Sequence, residues 1–308
     1  MLDIRRNAGG TGADVIGLDL SRPLSDKDFS TLFTALGEHS LLRFPTQSIT
    51  PADLRDFSAR FGMLQKGLSE KGPYEPGVPE VSILSNIVRD GVPIGIGDAG
   101  QDWHTDMSYN QLVGFTNVLY ALEVPHRDGK ALGDTLFANM YAAYDDLSND
   151  LKQRLEGLTA THDFNKFWEE MRRRPGSARA PLTPQERAKR PPSVHPIFLT
   201  HPITGRKVLY CNPGYAIRIN ELPEKESDEL LDELFRHQLQ EKYVYTHRWT
   251  KGDILMWDHI STLHNAVADY GPHEHRLIKR CQVMADKVFD QAFVRDVLGA
   301  TATVSAQS

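Results

Sequence analysis

From residue 81 onward, apolar runs rich in β-branched and aromatic residues follow one another at 81–84, 115–122, 194–199, 208–211, 243–249, 254–257 and 276–284. Helices do not alternate regularly with them. A doubly wound parallel sheet needs a crossover after nearly every strand, so this order disfavours that fold and calls for an antiparallel sandwich with helical cover. The chain therefore reads as mainly β within the α+β class. Its cover is visible near the start, where Phe29, Leu32, Phe33 and Leu36 recur at helical spacing behind Ser25. After a short apolar strand at 41–44, Thr50-Pro51 opens a second helix carrying Leu54, Phe57 and Phe61, with proline in its favoured first turn. Two later stretches are helical: Leu151, Leu155 and Leu158 share one face, and a helix starting at Pro223 buries Leu230, Leu231, Leu234 and Phe235.

With 308 residues, 40% of them hydrophobic and 25% charged, the composition is globular, and 1–308 reads as a single domain. A net charge of -6 and a pI near 6.1 give no electrostatic reason to bind nucleic acid or an anionic membrane. Small molecules are the expected partners, and assembly into a homo-oligomer is compatible with the sequence. The N-terminus lacks the apolar stretch of a signal peptide and no segment reaches the length of a membrane span, which points to the cytoplasm. Cys211 and Cys281 read as buried thiols. One segment departs from the average: 171–190 holds seven basic residues, a single acid at Glu186, and Pro175, Pro181 and Pro184. It reads as a flexible insertion, either a solvated loop or a cationic lid that draws an anion inward. The end of the chain, 300–308, reads as a frayed tail.

Chemistry concentrates in Gln101-Asp-Trp-His-Thr-Asp-Met-Ser-Tyr109. On a strand, His104 and Asp106 would point to the same side with Cα atoms roughly 6 to 7 Å apart, a chelating distance. One more histidine would complete a two-histidine, one-carboxylate triad that leaves metal positions open. Eleven other histidines compete for that place. His264 heads an apolar run and has a rigid scaffold; His259, nearby, is its competitor. Arg276 and Arg280 fall at i and i+4, about 13 Å apart on one strand face at roughly 3.3 Å per residue. That spacing suits two separate anionic groups in one elongated cavity.

Arg60-Phe-Gly62, Trp103-His-Thr-Asp106, Gly133-Asp-Thr-Leu-Phe137, Gly252-Asp with Met256-Trp-Asp258, His264, and Arg276 with Arg280 occur in this order through most of the chain. Together they resemble the taurine dioxygenase and 2,4-dichlorophenoxyacetate dioxygenase family of Fe(II)- and 2-oxoglutarate-dependent enzymes. The resemblance implies a double-stranded β-helix, or jelly roll, with iron at one open end. It makes His104, Asp106 and His264 the metal ligands, matches Thr135 and Arg276 to the distal carboxylate of 2-oxoglutarate, and matches Arg280 to an acidic group of the substrate. The implied reaction takes O2, releases succinate and CO2, and hydroxylates or desaturates an unactivated C–H bond of a small organic acid. Retention of Asp106 argues against halogenation, for which related enzymes vacate that position.

The match has gaps. No histidine follows Gly62 in 63–70, which argues against taurine as the substrate. His259 stands where an asparagine commonly follows Trp-Asp, Leu132 replaces a glycine, and the interval from His264 to Arg276 is one residue longer than in taurine dioxygenase. Tyr109, Asn212, Tyr215 and the loop 95–100 are the candidate pocket wall. Two other readings use the same three ligands: a non-catalytic sandwich that senses 2-oxoglutarate, and a zinc hydrolase.

Overall fold

The structure is a computed structural model and describes residues 2–67, 72–174, 177 and 179–305. Its large sheet has eight strands in the order Asp3–Arg6, Ala13–Ile16, Leu41–Phe44, Ile254–Asp258, Gly114–Glu123, Leu277–Met284, Val78–Ser85 and Tyr74–Glu75. Neighbours are antiparallel except Ala13–Ile16 against Leu41–Phe44, so the sheet is mixed where the sequence suggested an antiparallel one. Helix Asp26–His39 supplies the crossover that a parallel pair requires. Ser25 caps that helix, and Thr50 with Asp53 forms a capping box on helix Pro51–Ala59.

Strand Gly114–Glu123 is buried on both faces for most of its length. Val118 and Tyr120 face the helical cover, joining one cluster with Phe29, Phe33, Phe57 and Phe61. Leu119 and Ala121 face the other way, with Leu255, Trp257 and Ile278. On that second side lies a three-stranded sheet in the order Val244–His247, Thr135–Asn139, Thr262–Ala266. Phe137 carries it into the same cluster, with its ring centroid 5.2 Å from that of Trp257. A third unit places Thr159–His162 between Ser193–Pro196 and Ala216–Ile219 and covers it with helix Glu224–Gln238 through Leu230, Leu231 and Leu234.

Several expected elements change length. The run at 243–249 yields the strand Val244–His247, preceded by a 3-10 turn at Glu241–Tyr243. That at 194–199 splits into Ser193–Pro196 and Phe198–Thr200, because Pro196 has no N–H and Ile197 turns its own to the Leu158 carbonyl. Leu158 itself lies beyond helix Asn149–Leu155, and Arg276 stands one residue ahead of its strand. The strand Asp3–Arg6 went unread because it is largely exposed and carries no apolar run. Helix Gln291–Ser305 takes in the first part of the stretch expected to fray; 306–308 lie outside the described residues. Cys211 and Cys281 are free and buried, and burial pushes both thiols up to about 12. Among the described residues, no helix is long and apolar enough to cross a membrane.

Candidate metal centre

His104 does not lie on a regular strand, as the alternation argument assumed. Asp102 and Met107 both adopt left-handed backbone, at φ of 70° and 61°, and bend residues 101–109 into a loop. The loop is anchored at one point, where His104 and His264 form an isolated antiparallel bridge. The hydroxyl of Thr105, between the two candidate ligands, lies within hydrogen-bond reach of the carbonyls of His259 and Thr262, between which its one hydrogen is shared, and ties the loop to the turn ahead of strand Thr262–Ala266.

These constraints bring one ligand atom each from His104, Asp106 and His264 within 4.8 Å of one another. His104 Nε2 lies 3.2 Å from Asp106 Oδ1. Its Nδ1 is 2.8 Å from the Asp102 carbonyl, an acceptor that holds a proton on Nδ1 and turns Nε2 toward Asp106. The other carboxylate oxygen, Asp106 Oδ2, accepts from Asn117 Nδ2 at 2.7 Å and Gln282 Nε2 at 3.0 Å, with Arg280 Nη1 at 3.6 Å. Burial pushes the Asp106 carboxyl up, but the hydrogen bond and charge of His104, with His264 and Arg280, outweigh it and hold the group well below the ordinary carboxylate range. Burial and the neighbouring His104 hold His264 well below the ordinary imidazole range, and its buried Nδ1 has no hydrogen-bond partner among the described residues. Two imidazoles, that of His264 with an orphaned nitrogen, and an ionised carboxylate are a donor set that fits a divalent first-row metal and leaves further positions open.

A cavity adjoins this cluster, lined by His264, Trp257, Asn117, Thr135, Arg276 and Arg280 among others. Ala99 and Gly100, from the loop expected to form wall, line it too. Arg276 is only 6% exposed, its guanidinium lies 6.0 Å from the Tyr270 ring centre, and no carboxylate pairs with it among the described residues. Burial draws it below its ordinary value. Gly133 has a φ of 75°, and a Cβ there would come within 3.1 Å of the Tyr270 ring and 3.4 Å of Arg276 Nε, so the Gly-Asp-Thr turn needs its glycine. Arg280 shares the cavity, with its Nε 3.3 Å from Ser82 Oγ.

Tyr109 and Tyr215 pack near His104 in an aromatic group that also holds Phe164 and Phe167 of helix Phe164–Arg172, with ring centroids 4.8 to 5.2 Å apart for Tyr109–Tyr215, Tyr109–Phe164 and Phe167–Tyr215. Phe167 itself lies 4.8 Å from His104, ring to ring. Burial pushes the Tyr109 phenol up to about 12 and holds that of Tyr215 well above its ordinary value. Asn212 stands apart from the cavity: its amide donates to Ser108 and accepts from the Tyr215 backbone, so both ends are used to shape the loop. His259 is fully buried, both its ring nitrogens lack partners among the described residues, and it falls outside the group of converging ligand atoms.

The basic segment meets the ligand loop. Arg174 pairs with Asp102 and reaches Gln101, and Arg179 forms a two-pronged pair with Asp98 at 2.7 and 3.0 Å. Thr183 caps the short helix Pro184–Ala188, and Arg190 lies over Phe164. Pro175, like the final part of 63–70, lies outside the described residues. Sequence reasoning missed Asn117, Gln282 and Phe167. The first two were visible only as polar interruptions in apolar strands; Phe167 carried a signal in the helical spacing of Phe164, Phe167, Trp168 and Met171.

Comparison with known proteins agrees with this geometry. The chain is 34% identical over 297 residues to pentalenolactone F synthase of Streptomyces avermitilis, covering 92% of this chain and 95% of that one. It is 31% identical over 285 residues to the alpha-ketoglutarate-dependent 2,4-dichlorophenoxyacetate dioxygenase of Cupriavidus pinatubonensis, covering 90% and 95%. The crystal structure of AAD-2 in complex with Mn(II) and N-oxalylglycine superposes with a TM-score of 0.77 at 27% identity, over 92% of this chain and 97% of the other. The sequence model described as "Taurine catabolism dioxygenase TauD, TfdA family" matches residues 3–282. The chain belongs to that family, and is an enzyme of the Fe(II)-, 2-oxoglutarate- and O2-dependent dioxygenase class.

Proposed function

We propose that this dioxygenase hydroxylates or desaturates an unactivated C–H bond of a small organic acid, with release of succinate and CO2. The observation that carries the proposal is Arg276: a buried guanidinium with no carboxylate partner among the described residues, in one cavity with Thr135 and the candidate ligand His264. A buried cation left unpaired is costly, and an anionic ligand removes that cost. In this reading His104, Asp106 and His264 hold the metal, while Thr135 and Arg276 take the distal carboxylate of 2-oxoglutarate. Arg280, which shares the cavity and stands close to Asp106, takes the acid group of the prime substrate. Tyr109, Tyr215 and Phe167 present an apolar wall to its body and help to exclude water. Asn212 supports that wall through the Tyr215 backbone. Fe(II), when bound, supplies the oxidising chemistry; the protein contributes orientation and a dry, charged cavity.

The two sheets facing one core fit the jelly-roll arrangement, with the three-stranded sheet as its smaller wall. The relative named for 2,4-dichlorophenoxyacetate supports an acid with an apolar body as substrate. A screen of organic acids for substrate-dependent succinate formation tests the proposal, together with the weak visible band expected when Fe(II) and 2-oxoglutarate are added without oxygen. The band should vanish in His104→Ala. Absence of succinate with every acid, or a band that survives that substitution, would overturn the reading.

A further inference from the structure

A hydroxyl group has one hydrogen to give, and the structure constrains where that of Thr135 goes. Trp249 Nε1 donates to Thr135 Oγ1 at 3.0 Å, and both side chains are buried. An indole N–H is a donor only, so Thr135 is the acceptor in this bond and keeps its own hydrogen. Among the described residues that hydrogen meets no acceptor, although Thr135 lines the cavity beside Arg276. The indole is held from behind. His247 is paired with Thr135 in the strand register, and its ring meets the indole edge to face at 4.7 Å and 89°.

We propose that Trp249 is a positioning residue for the cosubstrate. By filling an acceptor direction of Thr135 with a donor that cannot accept, it commits the Thr135 hydrogen to the distal carboxylate of the 2-oxo acid held by Arg276. The inference rests on the assignment of Thr135 and Arg276 to that carboxylate, and its test separates the two. Calorimetric titration of the metal-loaded protein, without oxygen, would compare 2-oxoglutarate with 2-oxobutyrate, which keeps the 2-oxo acid head and lacks the distal carboxylate.

Trp249→Phe is expected to weaken 2-oxoglutarate roughly fivefold, the scale of one oriented hydrogen bond, and to leave 2-oxobutyrate unchanged. In Thr135→Ala the further change Trp249→Phe should add nothing, whereas in Thr135→Ser it should again cost roughly fivefold. Equal weakening of both acids by Trp249→Phe, or full additivity with Thr135→Ala, overturns the inference and leaves Trp249 a packing residue. If Thr135→Ala fails to discriminate between the acids, the cosubstrate assignment falls as well. A second measurement needs no change at Trp249. In the Zn(II)-loaded protein with 15N-labelled tryptophan, the indole signal sensitive to Thr135→Ser should move on addition of 2-oxoglutarate and stay in place with 2-oxobutyrate. An identical response to both acids refutes the proposal.

Discussion

His104 and His264 are joined main chain to main chain: the His104 amide donates to the His264 carbonyl at 3.1 Å, and the His264 amide returns the bond at 2.8 Å. The two imidazoles proposed as iron ligands therefore inherit their separation from backbone pairing rather than from side-chain packing. Their ring centroids lie 4.2 Å apart. A metal arriving at this pair has little rearrangement to impose.

Gly214 guards that arrangement. A Cβ on Gly214 would lie 2.6 Å from His104 Cβ, too close for any real contact, and 3.3 Å from the Trp103 carbonyl. Gly214→Ala is expected to displace His104 and to lower metal affinity at least tenfold, while the distant core melts nearly as before. Metal titration followed by calorimetry checks this, and undiminished affinity would show that the loop yields without cost.

Asn117 and Gln282 stand opposite one another in the register of adjacent strands and both donate to Asp106 Oδ2. Removing either donor frees the carboxylate to rotate. Asn117→Ala and Gln282→Ala are each expected to weaken metal binding about 10- to 100-fold, the usual cost of losing a partner that orients a ligand. Competition against a chelator of known affinity would measure it.

The two cavity arginines should separate kinetically. Arg276→Met is expected to raise the 2-oxoglutarate requirement more than about tenfold, since charge-assisted hydrogen bonds are lost. Without ligand the same variant should melt no lower than the parent, because an unpaired buried charge has been replaced by apolar volume. Arg280→Ala should chiefly raise KM for the prime substrate. Steady-state kinetics with each substrate varied in turn would expose the reverse pattern.

Acid should destabilise the fold through two buried histidines away from the proposed ligands. Burial drives His162 and His247 down to about 3, against about 6.5 in an unfolded chain. Between those values the unfolded state binds more protons, so their stability contribution is complete above about pH 6.5 and falls as pH drops toward 3. The slope is about 1.4 kcal/mol per pH unit for each residue. Urea unfolding at several pH values should show the slope below pH 6.5 reduced by one such share in His162→Gln. An unchanged slope would mean that His162 is protonated in the folded protein.

What could be read from the sequence was chemistry carried by residue type and order. His104, Asp106 and His264 come together, and Thr135, Arg276 and Arg280 share one cavity, as the motif order implied. The local geometry was misjudged where φ decides it: the strand expected at His104 is a loop because Asp102 and Met107 are left-handed. Asn117 and Gln282 stayed hidden because a polar residue in an apolar strand acquires meaning only when sheet register names its neighbour. Asn212, a candidate for the pocket wall, has its amide already committed to Ser108 and the Tyr215 backbone.

Helix Phe164–Arg172 brings Phe164 and Phe167 to the aromatic wall, while the proposed ligands and cavity arginines belong to a loop and strands elsewhere. On the function proposed above, taste in substrates and oxidising power would be carried by different stretches of chain that meet where Phe167 packs on His104. A different helix could be exchanged into this place to suit another acid, provided that a cation still faced Asp102. Arg174 is one coupling between the two stretches, because the residue it grips also holds the imidazole of His104.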